Sequence, residues 1–500
     1  MTTRSPALGL SPTPATRRVS RVLGAVLLAC ALLLALPPVV ARAAPAAPVV
    51  FADAELGACV AAALGLRPGS PLTTTQVAGV VTLSCTDFSP AALGGAELLT
   101  GATEIDLGYS STVSDLTPLA GLSRLRVFAA PYAAVTDVSP LHRLTNLVRL
   151  DLAGNPIATL EPLSGLTALT YLDVSGASWR SLEPLRGLTR LQQLFLEQPG
   201  EVDISALAVL TDLRVLQLTI PDVRSIAPVR SLPRLTTLYL HANASDLSPV
   251  ARLAQLERLS LNSPGDGTAA VAGKPRLTNL MLFRVTLPDF DPLAGSPELT
   301  QLVSSGSGVR DLQALAKLTR LTTVTLDHAD ADVSPLSKLP ELTDLWVAES
   351  RLGDLSQFDG FASLLSLSLP SNGLASLRGF TPPANLTSLD LSRNHLVDVR
   401  RVPCTLNLNA LNQSVRAATV RVGQPVRLPL AAPPGQPVKV AASASKAWTV
   451  DGTTLTYSRS GRFSVPFATT YSPPCSRSLF TGKIVQIARG DGPTRPTPQR

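Results

Sequence analysis

Large side chains able to grip a partner recur in this chain at regular places beside leucines. They are Tyr171, Phe195, Tyr239, His241, Met281, Phe283 and Trp346, with Arg149, Asp151, Asp173, Glu197, Arg258, Asp327 and Asp344 as polar neighbours. Aromatic residues make up only 4% of the chain, so five in equivalent places stand out. Exposed aromatics and arginine are the usual anchors of a binding surface. Catalysis finds no comparable support. His142, His241, His328 and His395 are scattered, and no Ser/His/Asp or paired-carboxylate constellation recurs around them. The acids of the stretch Asp327 to Asp332 lack the glycine turn and distant glutamate of a calcium loop and are read as a solvated turn; no metal and no cofactor is expected.

What must position the anchors is a repeat. Leu144–Gly165, LTNLVRLDLAGNPIATLEPLSG, is followed at once by LTALTYLDVSGASWRSLEPLRG from Leu166 and by a third copy from Leu188. A period of about 22 residues marks a leucine-rich repeat solenoid. In each coil Leu-x-Leu alternation makes a short strand with one face buried, so the residues between the leucines face outward. Asn155 sits where the backbone turns and can satisfy buried carbonyls and amides; the position is kept at Asn243, Asn372 and Asn394. A proline recurs on the return side, at Pro118, Pro140, Pro162, Pro184, Pro228, Pro249, Pro292 and Pro335, where a short helical turn does not need its missing donor. The period runs over residues 99–403 in about 14 coils. It is weakest over Asn262–Gly273.

The flanks differ from the array. Residues 1–43 carry basic residues, the apolar run LGAVLLACALLLAL and Ala41-Arg42-Ala43, the anatomy of a secretory signal peptide. Cys30 lies inside that run, the wrong place for lipid attachment, and Ser20-Arg21 spoil a twin-arginine reading of Arg17-Arg18. The formal charge is +7. Removing the leader's five arginines leaves about +2, which gives no electrostatic case for nucleic acid. Residues 44–50 are an Ala/Pro linker. Over 51–98, Asp53 caps a helix with Leu56, Val60, Ala63 and Leu64 on one face, Thr73 and Gln76 form a capping box, and Val81-Thr82-Leu83 opens the first degenerate coil. Such a helical cap covers the apolar end of a solenoid.

Four cysteines remain after the leader: Cys59 and Cys85 before the array, Cys404 and Cys475 after it. An even number in an exported chain suggests the disulfides Cys59–Cys85 and Cys404–Cys475, with free buried thiols as the alternative. Residues 404–489 read as short β-branched runs broken by Gly and Pro, a small antiparallel sandwich. Residues 490–500 are a Pro/Thr tail. Arg489-Gly490-Asp491 is read as a chance tripeptide, and no apolar C-terminal helix or wall-sorting motif suggests a stable membrane anchor.

The stretch FADAELGACVAAALG, the returns Asp115–Leu119, Asp137–Leu141 and Asp332–Leu336, and the stretches LNQSV (Leu411–Val415) and FTGKIVQ (Phe480–Gln486) together resemble the bacterial internalin family. The resemblance covers nearly all of the chain after the leader. It implies an α/β repeat solenoid: a leucine-rich repeat arc with a parallel strand ladder, an N-terminal helical cap and a C-terminal all-β immunoglobulin-like sandwich. It implies also a protein ligand held on the concave strand face. The expected role is an exported, non-catalytic binding protein, secreted or associated with the cell surface, with a cell-wall glycan as the alternative partner.

Overall fold

The computed structural model describes residues 48–490 except 110, 351, 353, 354, 434–436, 445 and 470–478. The leader, the tail beyond Gly490 and Cys475 therefore lie outside the described residues.

The chain enters through a helix at Ala54–Ala63, whose N-terminus is closed by Asp53 accepting from the amides of Glu55 and Leu56. Leu56, Cys59, Val60 and Ala61 are buried, and Ala63, expected on that face, is exposed. Cys59, on that buried face, is joined to Cys85 beside the first coil with a Cα–Cα distance of 5.4 Å. A second helix, Thr74–Ala78, opens with the reciprocal Thr73–Gln76 capping box.

From Thr82–Ser84 to Asn407–Arg416, sixteen successive strands pair parallel in one ladder. Leu150 pairs with Leu172 and Leu172 with Leu194, so the inward leucines stack in register. Parallel strands 22 residues apart require a crossover, supplied in most coils by a 3-10 turn such as Glu161–Leu163, with proline in its first positions. Between turn and strand lies a continuous column of buried leucines; Phe128, Trp179, Phe290, Phe361 and Phe380 take leucine-like places in it. Such a coil buries its apolar set only against its neighbours.

Strand length varies along the ladder. Strands have three residues up to Tyr171–Asp173, five from Gln193–Glu197 to Asp344–Ala348, and three again at Ser366–Ser368. The longer central strands add a third outward position per coil.

The turn ladder is imperfect, as its sequence implies. Asn155 Nδ2 donates to the carbonyls of Ala130 and Leu152, and its Oδ1 accepts from Val135. Asn394 does the same for Leu369, Leu391, Asn372 and Leu374. Asn243, expected in this set, is exposed instead, because its coil buries Ala242 and Ala244. Gln413 performs the asparagine role at the last rung, donating to Leu391 and Ala410 and accepting from Leu396.

The weak coil over Asn262–Gly273 replaces the usual 3-10 turn with the single α-turn Thr268–Val271, burying Ala270 and Val271 in place of leucines. The next coil begins with Lys274 where others have leucine. Its side chain is fully buried, and Nζ donates to the carbonyls of Val250 (3.0 Å) and Ala251 (2.9 Å), closing the turn Ser248–Arg252 one coil earlier.

The C-terminal region continues the ladder without a break. Asn407–Arg416 is both the last rung, on Ser388–Asp390, and a parallel partner of Leu479–Arg489. Leu479–Arg489 pairs antiparallel with Gly461–Thr469, which pairs antiparallel with Val438–Val440. A separate antiparallel sheet holds Pro425–Arg427, Thr454–Tyr457 and Trp448–Asp451. The region is all-β but mixed rather than purely antiparallel, since its first strand inherits the ladder's direction. Tyr457 and Phe463 stack between these sheets at 5.0 Å, and Tyr457 Oη is within 2.8 Å of Gln486 Oε1. Cys404 is disulfide-bonded; Cys475, its expected partner, is not among the described residues.

Candidate functional site

Side chains between the buried leucines stand on the outer face of the ladder, in columns fixed by strand register. Arg149, Tyr171, Thr237 and Arg258 occupy the first column. Asp151, Asp173, Phe195, Tyr239, Met281 and Trp346 occupy the middle one. His241 and Phe283 occupy the third, which the five-residue strands create. The anchors expected from sequence therefore form three neighbourhoods across the face rather than one line.

The first neighbourhood is Arg149, Tyr171, Phe195 and two acids. The guanidinium of Arg149 lies 3.4 Å over the Tyr171 ring centroid and pairs with Asp151 at 3.3 Å. The Tyr171 and Phe195 rings are 5.3 Å apart and tilted by 41°. All three side chains are half-buried, held by one another rather than by the core. Burial pushes the Asp151 carboxyl above its usual value, and facing Asp173 adds to the rise while Arg149 offsets part of it. Burial, then Asp151, raises the Tyr171 hydroxyl. A cation stacked on an aromatic beside a desolvated carboxylate is a preorganised anchor, since its side-chain entropy is already spent before binding.

The second neighbourhood spans strands Thr237–His241, Arg258–Asn262 and Asn279–Phe283. Tyr239 is 38% exposed, Arg258 is exposed, and His241, Met281 and Phe283 are half-buried. The third is Trp346, 42% exposed, near the far end of the ladder.

Sequence reasoning missed the edge of the face where the strands end. Three residues beyond the middle outward position the backbone turns left-handed. Gly154, Gly176 and Gly306 sit there, but so do Tyr132, Arg284, His328, Glu349, Ser371 and Arg393. A non-glycine residue in this conformation costs about 1 kcal/mol. The recurring glycine was the available signal: a side chain aligned with Gly154 must project from the turn. Tyr132 does so, with its ring over Gly154 and 5.9 Å from the ring of exposed Tyr109. His328 meets Glu349 at 3.0 Å, and Arg284 donates to Asn262 at 2.7 Å. His328, Glu349, Ser371 and Arg393 line a groove of about 760 Å³ around Trp346, continuous through Ser305 and His328 with another of about 540 Å³ beside Phe283 and Arg284.

A stacked parallel ladder with 3-10 returns and a C-terminal all-β region defines a leucine-rich repeat solenoid. A family model of two leucine-rich repeats matches residues 145–187. The chain is similar to the internalin InlF of Listeria monocytogenes, at 25% identity and a TM-score of 0.61 over 65% of this chain and 98% of that one. In fold it is also similar to the functional domain of InlJ from Listeria monocytogenes, at 18% identity and a TM-score of 0.51 over 88% and 97% of the two chains. No curated protein matches it. The chain is an internalin-like leucine-rich repeat protein. No helix among the described residues is long and apolar enough to cross a membrane.

Proposed function

We propose that this is an exported, non-catalytic binding protein that grips a protein ligand on its strand face. The observation that carries the reading is the Arg149–Tyr171–Phe195 stack beside Asp151 and Asp173, which presents arginine and two aromatic rings in a fixed arrangement at the surface. Arginine and aromatic residues of this kind supply most of the energy of protein interfaces. Tyr239, His241, Arg258, Met281 and Phe283 extend the surface along the ladder. The leader-like residues 1–43 support export, and the similarity to InlF supports a surface or secreted setting. The helical cap protects one end of the array. The mixed all-β region is an immunoglobulin-like adapter that closes the other end, with Cys404 linked to Cys475.

The test is affinity capture of extracellular proteins on the immobilised full-length chain, followed by quantitative binding of the captured protein to variants. Tyr171→Ala and Phe195→Ala are each expected to weaken binding by about 2 kcal/mol, roughly thirtyfold. Arg186→Ala, on the return side, is expected to leave it unchanged. Loss with Arg186→Ala alone moves the ligand off the strand face.

A further inference from the structure

The groove around Trp346 carries chemistry different from the Arg149–Tyr171–Phe195 surface. The two lie on strands Gln193–Glu197 and Asp344–Ala348, seven ladder spacings apart, about 34 Å at the usual strand separation. One ligand anchor does not serve both.

We propose that this groove is a binding site for a neutral oligosaccharide, which stacks a ring on Trp346. The proposal stands apart from the protein-binding reading above. A pyranose presents a face of C–H groups and an edge of hydroxyls that both donate and accept. The groove offers the complement of each. Trp346 supplies an exposed aromatic surface, and Asp327, His328, Glu349, Arg393 and Asn412 surround it with planar polar groups.

Three observations select this ligand class. Asp327 Oδ1 is buried and has no hydrogen-bond partner. A carboxylate oxygen in that state needs a donor, and buried polar groups without one are few in folded proteins. Asp327 lines the groove, where a sugar hydroxyl is such a donor and an apolar side chain is not. Second, the charges balance: the two carboxylates of Asp327 and Glu349 are matched by the two guanidinium groups of Arg284 and Arg393 along the joined grooves. A phosphate or uronic acid would face two carboxylates at close quarters, whereas an uncharged ligand accepts from the arginines and donates to the acids. Third, the groove is open and runs along the ladder from Asn262 to Asn412, repeating its polar groups once per strand. The strand spacing of about 4.8 Å is close to the advance of an extended glycan per ring, so successive rings meet successive strands, with Gly306 leaving a gap in the lip. The left-handed backbone at Arg284, His328, Glu349 and Arg393 is what turns these side chains onto the lip.

The test uses the full-length chain in affinity electrophoresis and calorimetry against chitohexaose, cellohexaose, laminarihexaose, mannohexaose and sedimented peptidoglycan, with heparin as a polyanion. Saturable binding to at least one neutral glycan is expected. Trp346→Ala should weaken it about tenfold or more and Trp346→Phe much less, because a ring face is retained. Asp327→Asn should weaken binding while leaving the melting temperature in place. Tyr171→Ala should leave glycan binding unchanged, which separates this site from the protein-binding surface. Absence of binding to every neutral glycan overturns the proposal. So does binding that survives Trp346→Ala, or a preference for heparin that is lost with Arg393→Ala.

Discussion

The guanidinium of Arg149 lies 3.4 Å over the ring of Tyr171, its direct neighbour on the next strand. The two are 22 residues apart in the chain and meet only because consecutive coils stack in register. The pair anchors the strand-face surface, and its energy is measurable without a ligand. A double-mutant cycle of Arg149→Ala and Tyr171→Phe or Tyr171→Ala, followed by chemical denaturation, should show a coupling of about 0.5–1 kcal/mol with alanine. Phenylalanine should retain most of it, because the ring face is kept. Equal coupling loss for both replacements would show that the hydroxyl, not the ring, carries the interaction.

Inward and outward positions should respond oppositely to truncation. Leu150 is fully buried, and Leu150→Ala should cost about 2–5 kcal/mol. The Asp151 carboxyl is held above its ordinary value by burial and by Asp173. A raised folded-state value means that ionised Asp151 opposes folding, so Asp151→Asn should leave stability unchanged or higher at neutral pH. Urea titration of both variants checks the register; a large loss with Asp151→Asn and none with Leu150→Ala would invert it.

The buried turn amides are a second source of stability. Asn394→Ala removes an amide that donates to Leu369 and Leu391 and accepts from Asn372 and Leu374. With several buried groups left unpaired, the cost should be about 3 kcal/mol or more. Gln413→Ala should behave alike, since Gln413 makes the equivalent contacts. Asn243→Ala should have little effect, because that side chain is exposed. Thermal melts of the three variants distinguish these outcomes.

Lys274 gives the fold a distinctive pH dependence. Burial pushes its ammonium down to about 8 from an ordinary 10.5. Below pH 8 the folded chain carries a desolvated charge; between pH 8 and 10.5 the unfolded chain binds more protons than the folded one, so this group's contribution to stability rises with pH. The gain across that window is on the order of 3 kcal/mol. Denaturation at pH 7 and pH 9.5, comparing wild type with Lys274→Met, should show this rise in the wild type alone. A wild-type curve parallel to that of the variant would mean that the ammonium is hydrated.

Reduction of Cys59–Cys85 should loosen the array from its first coil. The bond closes a loop with a sequence separation of 26, and its loss should cost about 2–4 kcal/mol. Hydrogen exchange should rise first at Ala54–Ala63 and Thr82–Ser84, since terminal coils have one neighbour fewer. Non-reducing peptide mapping should recover Cys59 with Cys85 and Cys404 with Cys475; cross-pairing between the ends would contradict this arrangement.

By itself the sequence determined the repeating coil, the inward leucines such as Leu150 and Leu172, the capping box at Thr73 and Gln76, and the proline-led returns. Each is a local rule: burial alternates along a strand, a cap bonds within one turn, and proline restricts its own φ. Likewise legible was the outward direction of Tyr171, Tyr239 and Trp346, because alternation sets direction. Tertiary structure alone decided which outward side chains meet. Tyr171 and Phe195 belong to different columns but touch across a diagonal, and Trp346 stands apart from both. It also decided that Asn243 leaves the turn ladder while Gln413 joins it, and that the last rung runs on into the C-terminal sheets. The left-handed residues that lift Arg284, His328 and Glu349 onto the groove were hidden for the same physical reason. Their neighbours lie a full coil away along the chain, and only the stacking of coils brings them within contact distance.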